Sequence, residues 1–167
     1  VTSSEYDNII LLNSDMMFSP GALANLLKHH DGTNIPCSRL VESGKMPSGM
    51  HGVNLGDNHF GRHPNEFNFE GWEKWAEEHK EDRTEPNGLY MPCLFEKKRV
   101  EEAGLYPRGN IFVEGDKLVS GYPNDRPVFM AADDFFFHKI LEPQYGMKQI
   151  TVFDSLVYHI QEGEKDE

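Results

Sequence analysis

Short apolar runs separated by long stretches of Gly, Pro, Asn and charge set the rhythm of this chain. Residues 8–12 form the first run, rich in β-branched and aliphatic residues, and predict a buried strand. Ser19-Pro20 reads as a helix start, with Ser as N-cap and Pro at the first helical position. Leu23, Leu26 and Leu27 then fall on one helical face, and His29-His30-Asp31-Gly32 closes the helix, with Gly as terminator. Residues 35–41 predict a second strand. Residues 42–67 are rich in Gly, His, Asn and Pro, and segments this long are usually functional or mobile.

Asn68 is placed to cap a helix running through Lys80, with Trp72, Trp75 and Ala76 on one face. Residues 89–95 are strand-like, and Pro92 demotes them to an edge or a bulge. A short helix over 96–103 ends at Gly104, and 107–127 is a second long Gly/Pro/Asn segment. Residues 133–141 predict a helix whose acidic first turn suits the helix dipole. Residues 149–153 and 156–160 predict two short strands, followed by a charged tail, 161–167, that should fray. There are no internal repeats. Strands alternating with helices indicate the α/β class.

With 167 residues the chain is long enough for one domain with a core. Its formal charge of −12 argues against a nucleic-acid binder, which needs a basic face, and against docking by charge onto an anionic membrane. No apolar run approaches the roughly 18 residues that span a bilayer, and no signal peptide is visible, so a cytoplasmic protein is expected. Cys37 and Cys93 match no CxxC spacing and sit in apolar stretches, which predicts buried free thiols. The chain opens Val1-Thr2-Ser3-Ser4, within one strand of its first candidate ligand, and reads like the later part of a longer fold.

Three places carry candidate chemistry. Asp15, just past the first strand, would project into the crevice above a sheet, where a carboxylate can bind a hard cation holding two phosphates. Asn13 offers an amide to a ribose or phosphate. The same Asn13-Ser14-Asp15 residues also suit a plain turn. Asp133 and Asp134 either stabilise a first helical turn or supply a general base for a sugar hydroxyl, with only one of the two pointing into a site. His138, four residues on, shares a face with Asp134 and could orient it. The run Phe135-Phe136-Phe137 suits a core better than a stacking platform. His159 ends the last strand-like run as either a core histidine or a metal ligand. His51, His59 and His63 fit no standard zinc spacing. Trp72 and Trp75 read first as core; exposed, they would make a carbohydrate stacking surface.

In this order, the motifs resemble those of family 2 glycosyltransferases of the GT-A fold. Residues 9–16, Ile-Ile-Leu-Leu-Asn-Ser-Asp-Met, then Ser19-Pro20-Gly21-Ala22-Leu23, look like the family's strand, DxD-type metal-binding turn and following helix. Glu102-Ala103-Gly104-Leu105-Tyr106-Pro107 looks like the stretch preceding the acceptor side. Ala132-Asp133-Asp134-Phe135 matches the Glu-Asp motif whose second acid is the base, and Val157-Tyr158-His159-Ile160 matches the histidine that completes the metal site. The resemblance implies a single partial GT-A domain over 1–167. It implies a nucleotide-sugar donor, a UDP-sugar foremost, and a carbohydrate or other hydroxyl acceptor. It implies Mn²⁺ or Mg²⁺ held by Asp15 and His159, nucleotide contacts from Asn13 and Asp15, and inversion at the anomeric carbon with Asp134 as base. Asn13 stands where many relatives have Asp, and the Gln-x-x-Arg-Trp motif of processive synthases is absent. The resemblance leads to the expectation that the N-terminal half of the family fold, which grips base and ribose, is not among these residues.

Two competing readings stand beside this one: a non-catalytic carbohydrate-binding or interaction module, and a metal-dependent phosphoesterase with two metals about 3.5–4 Å apart. A first strand without its usual neighbour would also expose an edge and promote self-association.

Overall fold

The structure, a computed structural model, describes residues 5–43, 51–56, 59–122 and 127–160. The expected frayed tail, 161–167, lies outside the described residues, as do parts of both long segments. Along the chain come β1 (Asn8–Leu11), β2 (Met16–Phe18), α1 (Ala22–Lys28), β3 (Asn34–Glu42) and β4 (Val53–Asn54). After a 3-10 turn at Pro64–Glu66 come α2 (Phe69–His79), β5 (Thr84–Pro86), β6 (Cys93–Glu96) and α3 (Lys97–Glu102). Next are β7 (Asn110–Glu114), β8 (Lys117–Gly121) and α4 (Ala132–Phe135), then a π-helical turn at Phe136–Leu141, α5 (Glu142–Tyr145) and β9 (Lys148–His159). The chain divides into two compact units, Val1–Ile9 with Phe95–Lys148, and Ile10–Leu94 with Gln149–Glu167. The mixture of helices and sheet bears out the α/β expectation.

The main sheet runs in the order β1-β6-β3-β9-β2, with β4 pairing parallel to β3 and β5 antiparallel to β9. In the unit holding residues 10–94, α2 is capped as expected: Asn68 Oδ1 accepts from the Gly71 N–H at 2.9 Å. Its Trp72 and Ala76 are buried and pack with Val41, Phe67, Leu156, Tyr158 and Ile160, with Trp75 partly buried beside them. Successive residues of a strand face opposite sides. Val41, Leu156 and Tyr158 therefore turn to α2, while Leu40 and Val157 meet on the other face with Leu89, Met16 and Phe18.

Several local expectations are corrected. The first strand is only half-buried, and Leu12 is exposed. Helix α1 starts later than the Ser-Pro signal implies: Gly21, at φ 77°, is the N-cap, and the Ser19 carbonyl instead accepts from the Ala22 N–H in a turn. Of the three leucines, Leu26 alone is buried; Leu23 and Leu27 stand 44% and 49% exposed, so a seven-residue helix buries one narrow stripe. Pro92 precedes β6 and does not make it an edge, since β6 lies between β1 and β3. The two C-terminal strands are one. Asp154 and Ser155 read as a break, yet both are buried inside β9. Cys37 and Cys93 are buried free thiols as expected, and they stand directly opposite each other across β3 and β6. Burial pushes the Cys37 thiol up to about 12.

In the other unit the segment 107–127 is no loop throughout. It holds the β7–β8 hairpin, closed by Gly115-Asp116 with Glu114 opposite Lys117. Gly115 has φ 61°, the left-handed conformation such two-residue turns require. Helix α3 ends as expected before Gly104. The predicted 133–141 helix is present, interrupted by the π turn and extended to Tyr145. Phe136 and Phe137 are buried against Phe95, so the aromatic run is core.

Candidate functional site

Three strand ends of the sheet place three ionisable side chains in contact. Ser38 of β3 and Ser155 of β9 share a hydrogen bond between their hydroxyls at 2.8 Å. Four residues further on each strand, Glu42 meets His159. The equal advance means that β3 and β9 run side by side in one direction. The period of two puts Ser38, Leu40 and Glu42 on the same face as Ser155, Val157 and His159. On the other side of β9, strand β2 pairs Met16 with His159, and the Ile160 N–H donates to the Asp15 carbonyl at 2.9 Å. Asp15, in the turn before β2, is thereby anchored beside the end of β9.

His159 lies between two carboxylates. Its Nδ1 is 3.1 and 3.2 Å from the two Glu42 oxygens, and its Nε2 is 3.1 Å from Asp15 Oδ2. A carboxylate only accepts, so this arrangement calls for an N–H on each nitrogen that faces one. The hydrogen bond to Glu42, followed by its charge and the contact with Asp15, raises the His159 pKa to about 8 against the opposing cost of burial. Glu42 is 4% exposed, and its backbone carbonyl accepts from the Leu55 N–H at 2.8 Å. Sequence reasoning missed it by reading residue 42 as the first of a loop. The signal was present in the alternation Ser38-Leu40-Glu42, which carries a carboxylate onto a buried face.

Asp15 Oδ1 is buried and has no hydrogen-bond partner among the described residues. Two ligand atoms each about 2.1 Å from a shared ion, at the right angle of octahedral coordination, stand about 3 Å apart. The 3.1 Å between Asp15 Oδ2 and His159 Nε2 fits that spacing, and equally a hydrogen bond. Glu42 touches the opposite ring nitrogen, so one ion cannot take all three residues. A cation held by Asp15 and His159 would keep most of its positions for water or phosphate oxygens, as Mg²⁺ does in nucleotide sites. Asn13 is exposed in the connection between β1 and β2.

Asp133 and Asp134 belong to the other unit, at the start of α4. Burial, and then the neighbouring Asp134 charge, raises the Asp133 pKa, and its Oδ1 is buried with no hydrogen-bond partner among the described residues. His138 Nδ1 lies 3.5 Å from Glu142 Oε2, one turn further along the helix from Asp134. In the residue 10–94 unit His51 Nε2 bonds to the Pro86 carbonyl at 2.8 Å, so this ring has a structural partner. Trp72 is 1% exposed and Trp75, partly buried beside it, stacks on His79 at 3.9 Å, so the core reading of the pair holds and they make no exposed stacking surface.

Sequence reasoning also passed over His29, Asp82 and Asp154, whose ligand atoms lie within 4.8 Å of one another. His29 Nε2 is 3.6 Å from Asp154 Oδ1. The Lys28 ammonium sits 2.5 Å from Asp82 and 3.5 Å from Asp154, so a cation of the protein itself already answers these carboxylates. Among the described residues no helix is long and apolar enough to cross a membrane. No family model matches the chain, and no curated protein or solved structure is significantly similar to it.

Proposed function

We propose that the chain is a metal-dependent glycosyltransferase of the GT-A type, moving a sugar from a nucleotide-diphospho-sugar to an acceptor hydroxyl. One observation carries the reading: Asp15 and His159, 144 residues apart in sequence, present Oδ2 and Nε2 to each other at 3.1 Å. Both belong to motifs in which the resemblance places metal ligands. Support also comes from where they sit, at the ends of neighbouring strands, the place where open α/β sheets bind ligands. The orphaned Asp15 Oδ1 adds an acceptor still in need of a partner.

Bound there, Mn²⁺ or Mg²⁺ would supply Lewis-acid charge against the diphosphate leaving group. Asp15 and His159 would hold the ion, and the exposed Asn13 amide would meet the donor. The resemblance assigns the proton-accepting role to Asp134. The carbohydrate-binding alternative loses its platform with Trp72 buried. Self-association belongs to this reading as well, because β1 ends the strand order and Leu12 beside it is exposed.

The test is calorimetric titration of UDP into the protein with and without Mn²⁺. The reading expects whatever UDP binding is seen to require the metal and to be lost in Asp15→Ala. Binding of UDP that ignores both the metal and Asp15 would overturn it.

A further inference from the structure

The proposed cation site needs its imidazole in one tautomer. A neutral histidine has one N–H and one lone pair, and a metal takes the lone pair. For Nε2 to serve a cation beside Asp15, the proton must reside on Nδ1. An isolated histidine has no strong reason to keep it there, and a partner at Nδ1 decides the matter.

We propose that Glu42 is the positioning residue of the cation site: it accepts the Nδ1–H of His159, fixes the tautomer, and aims Nε2 at the position that Asp15 shares. The inference rests on the cation reading above and deepens it. Both Glu42 oxygens reach Nδ1, at 3.1 and 3.2 Å, so the contact survives small rotations of the carboxylate. Glu42 is 4% exposed, and among the described residues its ion-pair partner is His159. A buried carboxylate held against an imidazole is hard to explain as surface solubility.

The backbone around Glu42 is fixed on both sides. Its carbonyl accepts from Leu55, and Glu42 pairs with Asn54 of β4. On the other side the Ser38–Ser155 bond locks β3 against β9 four residues earlier. Glu42 therefore meets the ring from a strand end that is pinned to β4 and, through Ser38, to β9. Glu42 itself is no ligand, because it occupies the nitrogen that faces away from Asp15. Metal-bound histidines commonly donate their second N–H to a carboxylate, and loss of that partner typically costs 10–100-fold in metal affinity.

The experiment compares the wild-type chain with Glu42→Gln and Glu42→Met. Mn²⁺ binding is read from the free-ion EPR signal. The His159 tautomer is read in the metal-free protein at pH 9.5 by long-range ¹H–¹⁵N correlation, with His159→Gln to assign the ring. Glu42→Gln keeps an acceptor at the same place and guards against a variant that fails to fold. The expected result is Mn²⁺ affinity about 10–100-fold weaker in Glu42→Met, an intermediate loss in Glu42→Gln, and a shift of His159 from the Nδ1–H form towards Nε2–H. Wild-type affinity and tautomer in both variants, while His159→Gln loses Mn²⁺, would overturn the role of Glu42 and leave the cation reading standing. A wild-type chain that leaves Mn²⁺ free would overturn the cation reading and this proposal with it.

Discussion

Ser38 and Ser155 donate and accept a 2.8 Å hydrogen bond in the interior of the sheet, and both side chains are fully buried. The pair sets the register that brings Glu42 to His159. Changing one serine to alanine leaves the other hydroxyl buried without a partner, which costs about 1–3 kcal/mol. The double change removes both polar groups, so Ser38→Ala/Ser155→Ala should cost less than the sum of the two single changes. Urea unfolding of the four proteins in a double-mutant cycle measures this. Strictly additive costs would mean that the two hydroxyls do not depend on each other.

Stability of the metal-free protein should fall in mildly alkaline solution. The His159 pKa is raised from 6.5 to about 8 by Glu42 and Asp15. A raised pKa means that the folded state holds the proton more tightly than the unfolded chain. The stabilisation is therefore complete below pH 6.5 and disappears as pH rises through about 8. The shift corresponds to at most about 2 kcal/mol, less after solvent screening at the partly open Asp15 side. Denaturant midpoints between pH 6 and pH 9 test it, with His159→Gln expected to flatten the profile. An unchanged slope in that variant would assign the effect to other groups.

The tryptophans separate packing from sugar stacking. Trp72 is 1% exposed among Phe60, Trp75 and Tyr158, so Trp72→Ala should cost about 3–5 kcal/mol. Trp75 is partly buried and should cost less when truncated. Thermal denaturation gives both values. Equal, small losses would mean that the α2 contacts contribute little to the core.

Much of this architecture is legible in the chain because local rules agree with the fold. Asn68 caps α2, Gly104 follows α3, and the apolar runs at β1 and β3 need no tertiary information to be seen. The failures share a cause: a residue judged by its own polarity was placed by its neighbours. Asp154 and Ser155 look like a break in β9, yet Ser38 satisfies one and Lys28 and His29 face the other. Glu42 looks like the opening of a loop, yet His159 makes its burial tolerable. Asp15 and His159 were each visible as candidates, but their meeting depends on β2, three residues that no pattern announced.

The acidic pair on α4 invites a direct comparison. By the resemblance, Asp134→Asn should abolish sugar transfer while donor binding is largely kept; turnover within tenfold of wild type would remove it as the base. Asp133 carries the raised pKa and the orphaned oxygen, so Asp133→Asn is the necessary companion. Its effect should fall first on stability, which should rise or hold, because a buried carboxylate is replaced by a neutral amide. Initial rates and melting temperatures for the two variants decide between the roles.

The central claim is that Asp15 and His159 share a divalent cation. Crystals soaked in Mn²⁺ and measured for anomalous scattering test it most directly. The account predicts an anomalous peak within bonding distance of the Asp15 carboxylate and His159 Nε2, about 2.0–2.3 Å from each, with Glu42 still on Nδ1. A peak at His29, Asp82 and Asp154 with none at Asp15, or no peak at saturating Mn²⁺, would contradict it.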